Sequence, residues 1–230
     1  MAESWATLLS YRLHDLLMFS ADTYFRYFEI VNRRTWPALL VGTWIALMVL
    51  VMAARPTASV AAARWTLRVM TVVPAGASAT VAWFYFRGGF ADIHWLGAAW
   101  SLAFLVHALV WLACFSRWAL LASLAAGRQR AWRWALLLAA AVWPALAPLS
   151  QRPLWQAEVL GLAPDATVLL SLGVLMCVHL PRQCAAALLL VPLAWCVFSG
   201  ATLWAMQQPQ ALVLPLAGTV ALMSVLRRRA

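Results

Sequence analysis

The chain has 230 residues, of which 65% are hydrophobic and only 10% charged, and its mean hydropathy is +0.82. Soluble domains are about 45–50% apolar and about 25% charged, so a water-soluble fold could not hide this much apolar surface and lipid is the expected solvent. The net charge of +10 comes from 17 basic residues, all Arg, scattered in small groups between apolar runs; that distribution marks membrane orientation and excludes a nucleic-acid-binding face.

Residues 1–35 read as interfacial amphipathic helices. Trp5, Leu8, Leu9, Leu13, Leu16 and Leu17 recur at helical spacing, with Arg12 and Asp15 on another face. A turn at Ser20–Asp22 follows, with Asp22 as the expected N-cap of a second helix. There Tyr24, Tyr27, Phe28 and Val31 form one face, while Asp22, Arg26, Glu29 and Arg33 form an ion-paired one. Such a helix is expected to lie in the membrane interface, aromatics down. Met1–Asn32 contains Asp15, Asp22 and Glu29 and lacks an apolar signal-peptide core, so the first spanning helix is expected to act as its own insertion signal.

Residues 36–230 read as a transmembrane helix bundle, which makes the expected fold all-α and polytopic. Seven apolar runs cover about Trp36–Ala53, Trp65–Phe86, Ile93–Phe115, Trp132–Leu149, Ala166–Leu180, Gln183–Met206 and Gln210–Leu226. Trp36, Trp65, Trp95, Trp132 and Trp155 sit at or near run ends, as in an aromatic belt. The fifth run rises only about 22 Å against a core of about 30 Å. The expectation is seven spans, with six plus a re-entrant segment as the alternative.

Seven spans segregate the charges. One side receives Arg55, Arg64, Arg68, Arg117, Arg128, Arg130, Arg133, Arg182 and the Arg227–Arg229 triplet; the other receives the remaining arginines and all seven acids. The positive-inside rule then puts the C-terminus in the cytoplasm of a bacterial inner membrane and the N-terminus outside.

Three sets of residues are candidate sites. On the outer face, Asp92 and His94 form a weak Asp-x-His metal signal, and Glu158, Asp165, His14 and Asp15 could join them around a cationic solute. The plainer reading makes Asp92 and Asp165 helix caps, and pairs Glu158 with Arg152 and Asp15 with Arg12. In the inner half, His107 and His179 are expected at similar depth, the minimum for bis-imidazole ligation of a b-type haem, and Cys114, Cys177 and Cys184 could offer thiols to copper or zinc. The plainer reading is packing histidines and inert thiols. The third set is the break at Gly161–Asp165, where Pro164 and Asp165 would open a helix at Ala166. The four cysteines show no CxxC spacing, and no nucleophile motif or phosphate loop occurs. No cofactor is called for.

Three stretches carry a resemblance: YRLHDLLMFSADTYFRYFEIVNRRTWPA at the start, LGLAPDATVLLSLGVL around Pro164, and LVPLAWCVFSGATLWAM after it. Together, and in particular through the Gly-x-x-Pro-x-x-Thr turn at Gly161, Pro164 and Thr167, the chain resembles a family of bacterial multi-pass inner-membrane proteins, a domain of unknown function. The resemblance implies a wholly membranous fold and no activity.

The functional expectation is a non-enzymatic membrane protein, either a small permease or a structural or assembly subunit working with a membrane-protein partner or as a homo-oligomer. A haem- or metal-carrying redox subunit and a membrane-embedded enzyme using His14, Asp92 and His94 are the alternatives.

Overall fold

The computed structural model describes residues 19–54, 59–118, 120–121 and 128–227. His14, Asp15 and the first amphipathic helix expected from the sequence lie outside them.

Over the described residues the fold is all-α apart from one two-residue strand pair. Helix α1 (Ala21–Arg34) begins at Ser20, whose hydroxyl accepts from the Thr23 backbone N–H; Asp22, expected as the cap, instead sits in the first turn, where its charge suits the helix dipole. The predicted aromatic face is real, but Tyr24, Phe25, Tyr27, Phe28 and Val31 are buried against protein. Of the predicted ion pairs on the other face, Glu29–Arg33 forms, at 3.0 Å. α1 meets α2 (Ala38–Ala54) at 96°.

α3 (Val60–Thr80) continues through a π-helical segment, Val81–Phe90, which kinks at Gly89 (φ +152°), into a single turn at Ala91–Ile93. α4 (Gly97–Trp118) returns against both α3 and the π segment. α5 (Arg128–Val142) extends through a 3-10 turn at Trp143–Ala145 to Leu149. An irregular stretch then leads to α6 (Pro164–Leu175), followed by α7 (Arg182–Ala205) and α8 (Val213–Arg227). The strands Leu120–Leu121 and Val178–His179 pair antiparallel and join the chain beyond α4 to the chain beyond α6.

Among the described residues, four stretches are helices long and apolar enough to cross a membrane: Val60–Ile93, Gly97–Cys114, Ala131–Leu149 and Arg182–Ala205. A fifth is added if the bent pair α1–α2 counts as one. The seven apolar runs thus map onto helices, but α6 and α8 fall short of a spanning length. For α6 the reason is its position. Every one of its 12 residues is buried, and it packs against α3, α5, α7 and α8. Its sequence is apolar on all sides, as a helix enclosed by other helices requires. A helix that meets protein at both ends, about 18 Å long, has no bilayer thickness to match.

Candidate functional site

The stretch that delivers the chain to α6 and the first turn of that helix carry the two buried acids found among the described residues, Glu158 and Asp165. Asn32 of α1 donates its side-chain N–H groups to the carbonyls of Trp155 (2.7 Å) and Ala157 (2.8 Å), and Gln156 donates to Glu29 at 3.3 Å. These bonds pin the loop under α1 and turn Glu158 inward. The Gln156 amide and the Arg33 guanidinium hold the exposed Glu29 carboxyl below its ordinary pKa.

Past Glu158 the backbone turns at Gly161, which adopts φ +79°, a left-handed conformation that favours glycine. The Gly161 N–H donates to Thr167 Oγ1 (3.0 Å), and the Thr167 hydroxyl donates to the Ala163 carbonyl (2.8 Å). This is the work of the Gly-x-x-Pro-x-x-Thr pattern: Thr167, one turn inside the helix, closes the loop that precedes it. Pro164 takes the first helical position, where its missing N–H costs nothing. Asp165 follows it, so it is the second residue of α6 and not its cap, which is Ala163.

Asp165 is fully buried and well supplied with donors. Trp195 Nε1 donates to Oδ1 at 2.7 Å, and the Ser199 hydroxyl lies 2.9 Å from Oδ1 and 3.0 Å from Oδ2. Trp195 and Ser199 are one turn apart on α7 and so present both donors from one face. Glu158, 2% exposed, hydrogen-bonds to Asp165 through their carboxyl groups. Its other contacts are the Trp143 indole N–H (3.1 Å to Oε2) and the Arg152 guanidinium (3.9 Å to Oε1). Arg152 lies flat over the Phe25 ring at 3.6 Å, and its side-chain nitrogens are buried without a hydrogen-bond partner.

Two carboxyls in hydrogen-bond contact inside a protein cannot both be ionised, because like charges at that range repel strongly in a poorly polarisable medium. The donors sort the pair. Asp165 receives three polar contacts and sits in the first turn of α6, where the helix dipole favours negative charge. Glu158 has fewer donors; burial first, and then the Asp165 charge, push its pKa up to about 8. The shared proton therefore resides on Glu158 near neutral pH, and Arg152 balances the remaining carboxylate.

An aromatic layer seals the pair from the side. Trp195 packs against Phe86 (5.4 Å between ring centroids), Trp100 (4.9 Å) and Phe104 (5.7 Å). Phe86 belongs to the π-helical stretch that continues α3, three residues before its break at Gly89.

The remaining sequence candidates are dispersed. Asp92 is exposed on its single turn. His94 accepts from the Leu96 backbone N–H at 3.1 Å and is ringed by Phe90, Trp95, Phe19 and Phe198. His107 is buried and accepts the Trp111 indole N–H on Nε2 at 3.1 Å. His179 is exposed in a strand paired with Leu120, which lies beyond the end of α4. The helix from His107 to Trp118 alone rises about 16 Å, so the two imidazoles are not brought together for a haem. Among the described residues no three His, Cys, Asp or Glu side chains gather as a metal site. Sequence reasoning passed over Trp143, Trp195 and Ser199. The available signal was that these tryptophans fall inside or at the inner edge of apolar runs, away from the belt.

The chain belongs to a family of unknown function, DUF6064, whose model matches residues 21–230. No curated protein and no solved structure matches it.

Proposed function

We propose that the chain is a small, proton-coupled permease of the bacterial inner membrane, with Glu158 and Asp165 as its protonation site. The observation that carries this reading is the buried carboxyl pair with one proton to share, set between a helix start and a π-helical segment. Ionisable groups within a membrane bundle are costly and mark ion or proton pathways by default, and interrupted helices in transporters surround such groups.

Seven crossings fit the ends of the helices. α1 contacts both the π segment and the loop at Leu154–Gln156, which gathers these at one end. The strand pair gathers the chain after α4 and after α6 at the other. α2 and α8 then complete the bundle as short spans, and α6 crosses as an enclosed half-length helix. The 96° angle between α1 and α2 lets α1 lie along the outer surface while α2 crosses. The arginine bias favours a cytoplasmic C-terminus and an outer N-terminus, so the carboxyl pair is reached from the outer end.

The test is a pH-sensitive dye inside proteoliposomes, with a pH gradient and small cations, anions and zwitterions offered in turn. One class should drive a dye response that E158Q loses. Equal responses from wild type and E158Q across all classes overturn the reading.

A structural or assembly subunit is the second reading. Trp44, away from the ends of its run, is 71% exposed, and a tryptophan there suits a protein partner better than bulk lipid tails. Native mass spectrometry from the source membrane separates the two: a stable foreign subunit favours this reading, and a bare monomer or homo-oligomer favours the permease.

A further inference from the structure

We propose that the groove between α2 and α3 is a lipid site, which holds one acyl chain of a phospholipid with an anionic headgroup. The proposal shares with the permease reading the membrane setting and the outer placement of the α1–α2 corner, and it does not require transport.

The groove is a cavity of about 370 Å³. Gly42 and Ile45 of α2 form one wall, Val72 and Gly76 of α3 the other, and the turn at Leu160 and Gly161 lies between them. Gly76 faces open space, since a Cβ built on it would meet nothing within 4 Å. Val41, Val72 and Phe84 on the rim are exposed, and α3 belongs to a stretch long and apolar enough to span. The groove therefore opens sideways, toward the surface that such a helix turns to lipid.

The lining suits a hydrocarbon and rejects a polar solute. Among the described residues that line it, none is charged. The Thr80 hydroxyl is already spent, donating to the Ala77 carbonyl at 3.0 Å. A polar solute would give up its hydration there with little in return. The walls also match a tail in length. α2 rises about 10 Å from Ala38 to Ile45, and α3 rises about 12 Å from Val72 to Thr80. One leaflet is half of a hydrocarbon core of about 30 Å.

The mouth selects the headgroup. Ala38, the first lining residue of α2, follows the corner where α1 ends. At that corner Trp36 and Trp155 meet with ring centroids 5.5 Å apart, and Arg33 lies over Trp155 at 4.9 Å; tryptophans gather in this way at headgroup level. Arg33 is paired with Glu29, whereas Arg34 is exposed and forms no ion pair among the described residues. Arg34 precedes Ala38 by four residues, so it lies within about 14 Å of the mouth. Its charge is available to the phosphate of a lipid whose tail enters there. The tail would rest on Leu160, two residues past Glu158, and so would brace the loop that turns this carboxyl inward.

The experiment places the full-length protein in phosphatidylcholine vesicles with a trace of phospholipid carrying a diazirine in its tail. The probe has either a phosphatidylglycerol or a phosphatidylcholine headgroup, and crosslinked residues are mapped after photolysis. The half-buried Ile45 and Val73 should be labelled above Leu190 and Val197, which are exposed on α7; exposure alone would give the reverse order. The phosphatidylglycerol probe should label the groove about fivefold more than the phosphatidylcholine probe, the effect of about one arginine near a membrane surface. R34Q should bring the two probes together, and G76F, whose ring fills the groove, should abolish labelling at Ile45 and Val73 while leaving that of α7. Wild-type labelling that follows exposure means ordinary boundary lipid only, and equal labelling by the two headgroups means that no anionic lipid is selected. Either result overturns the proposal without any variant having to fold. A failed transport assay alongside groove labelling would remove the permease reading and leave the lipid site standing.

Discussion

Trp195, in the middle of α7, donates its indole N–H to Asp165 in the first turn of α6 at 2.7 Å, across 30 residues of sequence. The bond fixes where α6 begins relative to α7 and supplies a neutral donor to a buried charge. W195F keeps most of the aromatic volume against Phe86, Trp100 and Phe104 but removes that donor. A hydrogen bond to a charged acceptor contributes about 1.5–3 kcal/mol, so W195F should melt at a clearly lower temperature in detergent. S199A should cost less, since the Trp195 N–H remains on Oδ1. A W195F protein that melts with wild type would mean that Asp165 does not carry the charge.

Stability should fall as pH rises from acid toward 8. The Glu158 carboxyl is raised to about 8 in the folded protein from an ordinary 4.5. Between those values the folded chain holds a proton that the unfolded chain has released. Unfolding therefore becomes more favourable by up to about 1.4 kcal/mol for each pH unit. Below 4.5 both states are protonated and the effect vanishes. E158Q keeps the shape and the neutral charge state, so its melting temperature should be flatter over this range. Parallel pH profiles for wild type and E158Q would remove Glu158 as the proton carrier.

Arg152 acts in the opposite direction on the same group, since its positive charge favours the ionised form of Glu158. R152Q should therefore move the Glu158 titration to higher pH. The protonated carboxyl C=O stretch in infrared difference spectra, assigned by its loss in E158Q, reads this directly. R152K should keep the charge but lose the flat contact on Phe25, because an ammonium cannot stack as a guanidinium does. Its titration should stay near that of wild type while its melting temperature drops. A midpoint unchanged in R152Q would separate Arg152 from the pair.

Hydropathy and period made the helical class, the apolar runs and the aromatic face of α1 legible, because each is a local property of the chain. Burial of α6 was not legible, since an apolar run of 12 residues looks the same whether lipid or protein surrounds it. The run therefore read as a weak span, and its enclosure explains its length. Glu158 and Asp165 were both visible as candidates in the sequence, but their union was not. It depends on the Gly161 turn, on Asn32 pinning the loop and on Trp143 and Trp195, all of them brought in from other elements. The pairing of Glu158 with Arg152 was legible because only six residues separate them. Trp36, Trp65 and Trp95 at the run ends are 53%, 61% and 74% exposed, as a belt requires, whereas Trp111, Trp143 and Trp195 are each 3% exposed or less. Position within the run thus separates these six, while Trp44, mid-run and 71% exposed, is the exception.

Gly42 on α2 offers a way to disturb the site from outside it. A Cβ at this position would lie 2.4 Å from the Leu160 carbonyl oxygen and 2.9 Å from a Val159 methyl. The nearer obstacle is backbone, in the loop that carries Glu158, and it cannot rotate aside as a side chain could. G42A must therefore move either α2 or the loop, at an overpacking cost of about 1–3 kcal/mol. Displacing Leu160 shifts Glu158, two residues earlier, away from Trp143 and Asp165, so the E158-dependent infrared band should change frequency as well as the melting temperature falling. Gly76, which lies across the same groove from Gly42, is the control: a Cβ there meets nothing within 4 Å. G76A should match wild type in both measurements, or gain slightly from the better helix propensity of alanine. If G42A behaves like G76A, α2 does not hold the Glu158 loop in place, and the buried pair depends on Asn32, Trp143, Thr167 and Trp195 instead.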